Sequence, residues 1–207
     1  MSMVQLFNRD CMEAMAEMPD NLYDLAIVDP PYGIGNKFKG GKTGKMNFNE
    51  IVQKRWDEQR PPKEYFEELL RVSKNQVIWG GNYFADLLPP SRCYLIWDKK
   101  ISMDFTLAMC EIAWTSFDKL AKIITIPTVK GKIHPTQKPV ALYKWLLSKY
   151  AKKGWVILDT HLGSGSSAIA AHDMGFNFVG YELDTDYYND ALKRLHRHQR
   201  QLRLFVD

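Results

Sequence analysis

Short apolar runs alternate with helical patterns along almost the whole chain, and this alternation restricts the fold more than any other feature. Leu25-Ala26-Ile27-Val28 is apolar at every position. A strand with one wet face alternates polar and apolar residues, so an unbroken apolar run marks a sheet covered on both faces. Val4 to Phe7, Gln76 to Trp79, Tyr94 to Trp97, Cys110 to Trp114, Lys122 to Ile126, Trp155 to Leu158 and Phe176 to Tyr181 read as further strands. Cys11 to Met18, the stretch after Pro61-Pro62, Lys138 to Tyr150, Ser166 to Met174 and Asp186 to Leu202 read as helices. Tyr65, Phe66, Leu69 and Leu70 share a face in the second of these, and Leu142, Trp145 and Leu146 form a stripe on the third. Strands alternating with helices predict an α/β fold, with a mainly parallel twisted sheet flanked by helices.

With 207 residues, 45% of them hydrophobic and 25% charged, the chain can bury the core of one domain spanning residues 1–207. A net charge of +4 permits a polyanionic partner without requiring one. Cys11, Cys93 and Cys110 are odd in number and lack metal-ligand spacing, so neither a disulfide framework nor a metal site is expected. That cysteine usage fits a reducing, cytoplasmic compartment. No run approaches the roughly 18 apolar residues of a membrane span, and the opening MSMVQLFNRD lacks the apolar stretch of a signal peptide. No membrane partner is expected.

Directly after Val28 comes Asp29-Pro30-Pro31-Tyr32, which puts a carboxylate, a rigid carbonyl and an aromatic ring at the end of a buried strand. A plain strand-ending turn could use the same residues. The set also suits a flat base with an exocyclic amine. Asp29 and the Pro30 carbonyl can each accept one amine hydrogen, while proline's fixed φ limits reorganisation. Tyr32 can stack on the base. A second group lies in LDTHLGSGSSAIAA, where Asp159 ends a strand and Gly163-Ser164-Gly165 form a turn before the helix opened by Ser166. Glycines there let a ligand approach the backbone, and a helix start offers free N–H donors. Glu182, about twenty residues on at the end of the next strand, is placed to accept from ribose hydroxyls. The turn alone is equally explained as a tight connection; turn plus acidic residue favours nucleoside binding.

These motifs in this order resemble the amino-methyltransferases that use S-adenosylmethionine, specifically the permuted beta group of DNA adenine and cytosine enzymes. The catalytic tetrapeptide precedes the cofactor turn. Between them His134-Pro135-Thr136-Gln137-Lys138-Pro139 is similar to the group's motif before the cofactor strand, which helps bind the methionine end through His134, Thr136, Gln137 and Lys138. Asp10-Cys11 matches the position that contacts the cofactor's adenine ring, and Trp79-Gly80-Gly81-Asn82-Tyr83-Phe84 resembles a segment near the target-base pocket. The resemblance covers residues 6 to 184. It implies a Rossmann-like class I methyltransferase fold with circularly permuted motif order. It also implies Asp29, Pro30, Pro31 and Tyr32 as the catalytic residues. S-adenosyl-L-methionine would be the cofactor, held by Asp10, Cys11, Asp29, the His134 motif, Asp159, Gly163 to Ser166 and Glu182. The implied reaction is direct in-line methyl transfer to the N6 amine of a flipped-out adenine in double-stranded DNA. The cytosine-N4 enzyme uses the same geometry, with serine more often first in the tetrapeptide. A methyltransferase-like subunit without turnover is the alternative from another class. One departure stands out: Thr160-His161 replaces the usual Pro-Phe. Attack at a pyrimidine carbon would need a cysteine after proline, and the three cysteines follow Asp10, Arg92 and Met109.

DNA contact is expected from a Gly/Lys-rich loop at about residues 33–60, expected to be mobile, through Lys37, Lys39, Lys42 and Lys45. The basic C-terminal helix reads rather as a charged outer face, and Trp56, Trp97, Trp114 and Trp145 as core. The gap from Thr115 to Ile133 is too short for a sizeable recognition segment, so a short site, relaxed specificity, or help from a second subunit in a homodimer is expected.

Overall fold

The computed structural model describes residues 2–34, 57–101, 108–129, 131–134 and 136–201. Among the described residues eight strands, β1 (Val4–Asn8), β2 (Leu25–Val28), β3 (Gln76–Trp79), β4 (Tyr94–Asp98), β5 (Cys110–Thr115), β6 (Lys122–Thr125), β7 (Val156–Asp159) and β8 (Asn177–Glu182), form one sheet in the order β1-β8-β7-β2-β3-β5-β4-β6. Five α-helices accompany them among the described residues: α1 (Cys11–Ala16), α2 (Lys63–Val72), α3 (Val140–Tyr150), α4 (Ser166–Met174) and α5 (Thr185–Arg200). All pairings are parallel except those of β5, which runs against both β3 and β4. The predicted mainly parallel α/β sheet is observed.

Burial on both faces follows from the apolar runs. Leu25 and Ile27 of β2 face a core closed by α3, α4 and α5, while Ala26 and Val28 face one closed by α1 and α2. As expected, Trp97 lies in the first core and Trp114 in the second, whereas Trp145 is only partly buried and Trp56 lies outside the described residues. Trp79 also lies in the first core. Leu142 and Leu146 of the α3 stripe are fully covered.

Several boundaries differ from the sequence reading. Helix α1 ends at Ala16 rather than Met18, since the Glu17 N–H already turns back to the Ala14 carbonyl. Helix α3 begins at Val140 rather than Lys138, because Pro139 is extended (ψ 141°) and leaves Lys138 outside the helix. Strands β7 and β8 run one residue further than expected, so Asp159 and Glu182 are their last residues. From Thr115 to Ile133 the described residues hold a single element beyond β5, the edge strand β6. No described helix is long and apolar enough to cross a membrane.

One consequence governs the site. Strands β1, β8, β7, β2 and β3 all deliver their carboxyl ends to the same edge of the sheet, where ligands bind in open α/β folds. Because β5 is reversed, its first residues join them: Glu111 pairs with Trp97 and Cys110 with Asp98 at the end of β4.

Gly81, in the 3-10 turn Gly81–Tyr83 after β3, keeps that edge compact. A Cβ there would lie 2.6 Å from both the backbone nitrogen and the Cβ of Trp114. Gly81→Ala is expected to cost about 1–3 kcal/mol through overpacking. Urea unfolding should show a lower midpoint at unchanged slope.

Candidate active site

A cleft of about 590 Å³ opens at this edge. Its wall includes Asp10 and Cys11 from the start of α1, Asp29 and Pro31 after β2, and Tyr65 from α2. His134, Thr136, Gln137 and Lys138 come from the approach to α3, Gly163 and Ser164 from the turn after β7, and Glu182 from the end of β8. Residues spread over most of the sequence therefore converge on one cavity, including ten positions expected to touch a cofactor: Asp10, Cys11, Asp29, His134, Thr136, Gln137, Lys138, Gly163, Ser164 and Glu182.

Glu182 stands where the turn and the next helix meet. Its Oε2 accepts from the Gly163 N–H at 2.8 Å and its Oε1 from the Asp184 N–H at 3.0 Å. Burial raises its pKa, against those two donors. Gly163 has φ +50°, and the nearest atoms a Cβ on it would meet are those of the His134 ring, at 3.7 Å. That ring meets Tyr187 edge-on with centroids 4.3 Å apart, and its Nδ1 lies 3.1 Å from the Thr136 hydroxyl. The Gln137 side-chain oxygen accepts from the Ile133 N–H at 3.0 Å. Asp10 caps α1, accepting from the Met12 N–H at 2.7 Å, which fixes the first turn against the cleft.

Three residues expected at the cofactor stand behind the wall instead. Asp159 accepts from the Ser167 hydroxyl at 2.6 Å and the His161 N–H at 3.0 Å, clamping the turn. Gly165 lies against α5, where a Cβ would meet that of Ala191 at 3.1 Å. The Ser166 hydroxyl accepts from Arg194 at 3.0 Å, and the same guanidinium donates to the Ser164 carbonyl at 2.7 Å. These three shape the turn and do not line the cavity.

The Asp29-Pro30-Pro31-Tyr32 tetrapeptide follows β2 directly. Pro30 is buried and Pro31 reaches the wall. The Tyr32 hydroxyl donates to Asp29 Oδ1 at 2.6 Å, and its ring stacks on Tyr83 with centroids 5.0 Å apart and planes 18° from parallel. Asp57 accepts from the N–H groups of Tyr32 (2.6 Å) and Gly33 (3.0 Å), pinning the turn. Gly80, at φ +76°, is required: a Cβ would fall 2.3 Å from the Tyr32 ring. Arg60 holds the Tyr83 turn from the opposite side, donating to the Tyr83 carbonyl at 3.1 Å and forking onto Asp86.

Asp29 Oδ2 is paired with the ammonium of Lys138, whose side chain is 1% exposed. The same ammonium lies 2.9 Å from Glu111 Oε2, and Glu111 Oε1 lies 2.6 Å from the ammonium of Lys99. Burial raises the Asp29 pKa, with Glu111 adding to the rise against Lys138. Burial opposes ionisation of Glu111, but Lys138 and Lys99 outweigh it and hold that carboxyl well below the usual range. The sequence marks neither Glu111 nor Lys99 as a site residue, shows Tyr65 only as part of an apolar helix face, and gives no sign of Tyr83's stacking on Tyr32. Lys37, Lys39, Lys42, Lys45 and Pro135 lie outside the described residues. Among the described residues no group of three or more His, Cys, Asp or Glu side chains is placed to hold a metal.

Residues 79–193, more than half of the chain, match the N6_N4_Mtase family, described as DNA methylase. The protein YubD of Escherichia coli (strain K12) is 25% identical over 97% of this chain and 93% of its own length. The type II methyltransferase M.HinfI of Haemophilus influenzae is 26% identical over 90% of this chain, which spans 66% of that protein. Among solved structures, M1.HpyAVI in complex with SAM superposes with a TM-score of 0.63 at 19% identity, covering 93% of this chain and all of that one. The cytosine-N4-specific PvuII DNA methyltransferase gives 0.64 at 11% identity, over 96% and 91% of the two chains. At these identities the superpositions establish the fold.

The turn after β7 holds a buried carboxyl and a half-buried imidazole whose titrations oppose each other. Burial lifts Asp159 from 3.8 to about 7 and depresses His161 from 6.5 to about 4. The stability tied to Asp159 is complete below about pH 4 and is lost as pH rises through about 7. That tied to His161 is complete above about pH 6.5 and is lost as pH falls through about 4. Between about pH 4 and 6.5 the two slopes offset. In Asp159→Asn the histidine's rise should stand alone, increasing unfolding free energy across that window by a few kcal/mol more than in the wild type, at about 1.4 kcal/mol per pKa unit. Urea unfolding at a series of pH values checks this; parallel wild-type and variant profiles would contradict it.

Proposed function

The chain belongs to the N6_N4_Mtase family of DNA methylases, and we propose that it transfers the methyl group of S-adenosyl-L-methionine to the N6 amine of adenine in double-stranded DNA. The observation that carries this reading is the convergence of Asp29 with the Gly163 turn and Glu182 on one cleft. The donor set suits the cofactor. Each Glu182 oxygen spends one lone pair on a backbone N–H and keeps another for a ribose hydroxyl. Gly163 offers backbone with no side chain in the way. Asp10 and Cys11 would flank the adenine ring, and His134, Thr136, Gln137 and Lys138 the methionine end. When bound, the cofactor supplies an electrophilic methyl group on a sulfonium centre.

The protein's share of the chemistry is to prepare the amine. An adenine amine is a poor nucleophile because its lone pair is delocalised into the ring. Asp29 and the Pro30 carbonyl accept its two hydrogens, which favours a tetrahedral nitrogen with the lone pair directed at the methyl. The rigid Pro30-Pro31 backbone keeps these acceptors in place. Tyr32, already stacked on Tyr83, offers a ring face for a base extruded from the duplex. Hydrogen-bond acceptance suffices, since the methylated amine sheds its proton readily.

Asp29, rather than serine, at the head of the tetrapeptide supports adenine over cytosine. The brevity of the Thr115–Ile133 stretch supports a short recognition site or relaxed specificity, with Lys37, Lys39, Lys42 and Lys45 contacting phosphates and a second subunit completing the DNA-binding face. The test is incubation with labelled S-adenosylmethionine and unmethylated DNA, followed by mass spectrometry of the nucleosides. N6-methyladenine is expected; 4-methylcytosine would reassign the base, and cofactor binding without transfer would mark a non-catalytic subunit. Asp29→Ala should lower kcat by about a hundredfold or more, the scale of a lost transition-state contact, and undiminished activity would refute the mechanism.

A further inference from the structure

Lys138 is shared. Its buried ammonium sits between two carboxylates, Asp29 Oδ2 and Glu111 Oε2, while Lys99 holds the far oxygen of Glu111. The four side chains form a row of alternating charge, Lys99–Glu111–Lys138–Asp29, that sums to zero. All are largely removed from water, with side-chain exposures of 13%, 19%, 1% and 13%. The Tyr32 hydroxyl joins the row, 2.6 Å from Asp29 Oδ1 and 3.4 Å from both Glu111 Oε2 and Lys138 Nζ. Glu111 and Lys99 come from the start of β5 and the residue after β4, outside every motif that marks the site, and neither lines the cleft.

A lysine paired with Asp29 alone would hold the carboxylate's charge on itself and leave a poor acceptor. A second carboxylate on the same ammonium divides that attraction. We propose that Glu111 is a positioning residue for methyl transfer: by sharing Lys138 it keeps Asp29 a strong acceptor for the target amine, and Lys99 sets how far Glu111 can do so. The inference rests on the methyltransferase reading of Asp29. The electrostatics agree in direction, since burial and Glu111 raise Asp29 while Lys138 and Lys99 keep Glu111 ionised against its own burial. Among the described residues, the other titratable groups that act on the row are Asp57, Tyr65 of α2, Tyr143 of α3, Asp159 of β7 and Lys132. None of these five takes a hydrogen bond or ion pair from the Lys138 ammonium, so the division of its charge lies between the two carboxylates and the Tyr32 hydroxyl.

Two near-isosteric variants pull in opposite directions, which a loss of packing would not do. Glu111→Gln returns Lys138 to Asp29. It should lower kcat about ten- to a hundredfold, leave the Kd for S-adenosylmethionine within about twofold, and move the acid limb of the kcat profile about one pH unit lower. Lys99→Met strengthens the claim of Glu111 on Lys138 and should move the same limb higher. The Asp29 carboxyl, followed by 13C NMR and assigned by its loss in Asp29→Asn, should titrate with the same two opposite displacements. Unmoved titrations, or displacements of the same sign, would overturn the proposal. Because the carboxyl titration needs no substrate, a wild-type protein that methylates no DNA would refute the function above while these shifts still decide the role of Glu111.

Discussion

A lysine ammonium almost without solvent contact has to be matched by carboxylates held at fixed positions, because an unpaired charge there would cost several kcal/mol. Lys138 imposes that condition on three separate parts of the chain. The end of β2 must present Asp29, the start of β5 must present Glu111, and the entry to α3 must turn Lys138 inward instead of winding it into the helix. Pro139 meets the third requirement: its extended conformation delays the helix to Val140. The row as a whole is neutral, so the site can lie between two apolar cores without leaving a buried ion uncompensated.

Much of this was legible in the sequence, for a physical reason. Parallel strands buried on both faces read as apolar runs, and the carboxyl ends of such strands gather at one edge. Asp29, Gly163 and Glu182 each follow or end such a run, so their convergence could be anticipated from local pattern alone. Glu111 and Lys99 carry no such mark. Each is an ordinary charged residue at the rim of a strand: Lys99 pairs with Glu111 from the neighbouring strand, and the contact of Glu111 with Tyr32 spans 79 residues of sequence. The reversal of β5 is what places Glu111 at the site, and strand direction is not written in a short apolar run.

The Thr160-His161 pair shows a different kind of gap. As a sequence it is a departure from the usual Pro-Phe. In the structure Thr160 Oγ1 lies 2.6 Å from the Tyr65 hydroxyl and 3.0 Å from His161 Nδ1, and the His161 ring meets Tyr65 edge-on at 5.3 Å. A hydrogen-bonded trio has taken over a position where apolar packing would serve. Tyr65 was recognisable only as one more apolar residue on a helix face, and its hydroxyl acquires meaning from the two residues that follow Asp159.

The antiparallel course of β5 has an architectural consequence. A strand running with the others reaches the site only at its far end, after its whole length is committed to the sheet. A strand running against them touches the site where it starts, so Glu111 reaches the rim as the second residue of β5. The register between Ile96 and Ile112 anchors that start from further in. Five parallel strands thus bring their ends to the site and one reversed strand brings its beginning, and the charged row ties the two together.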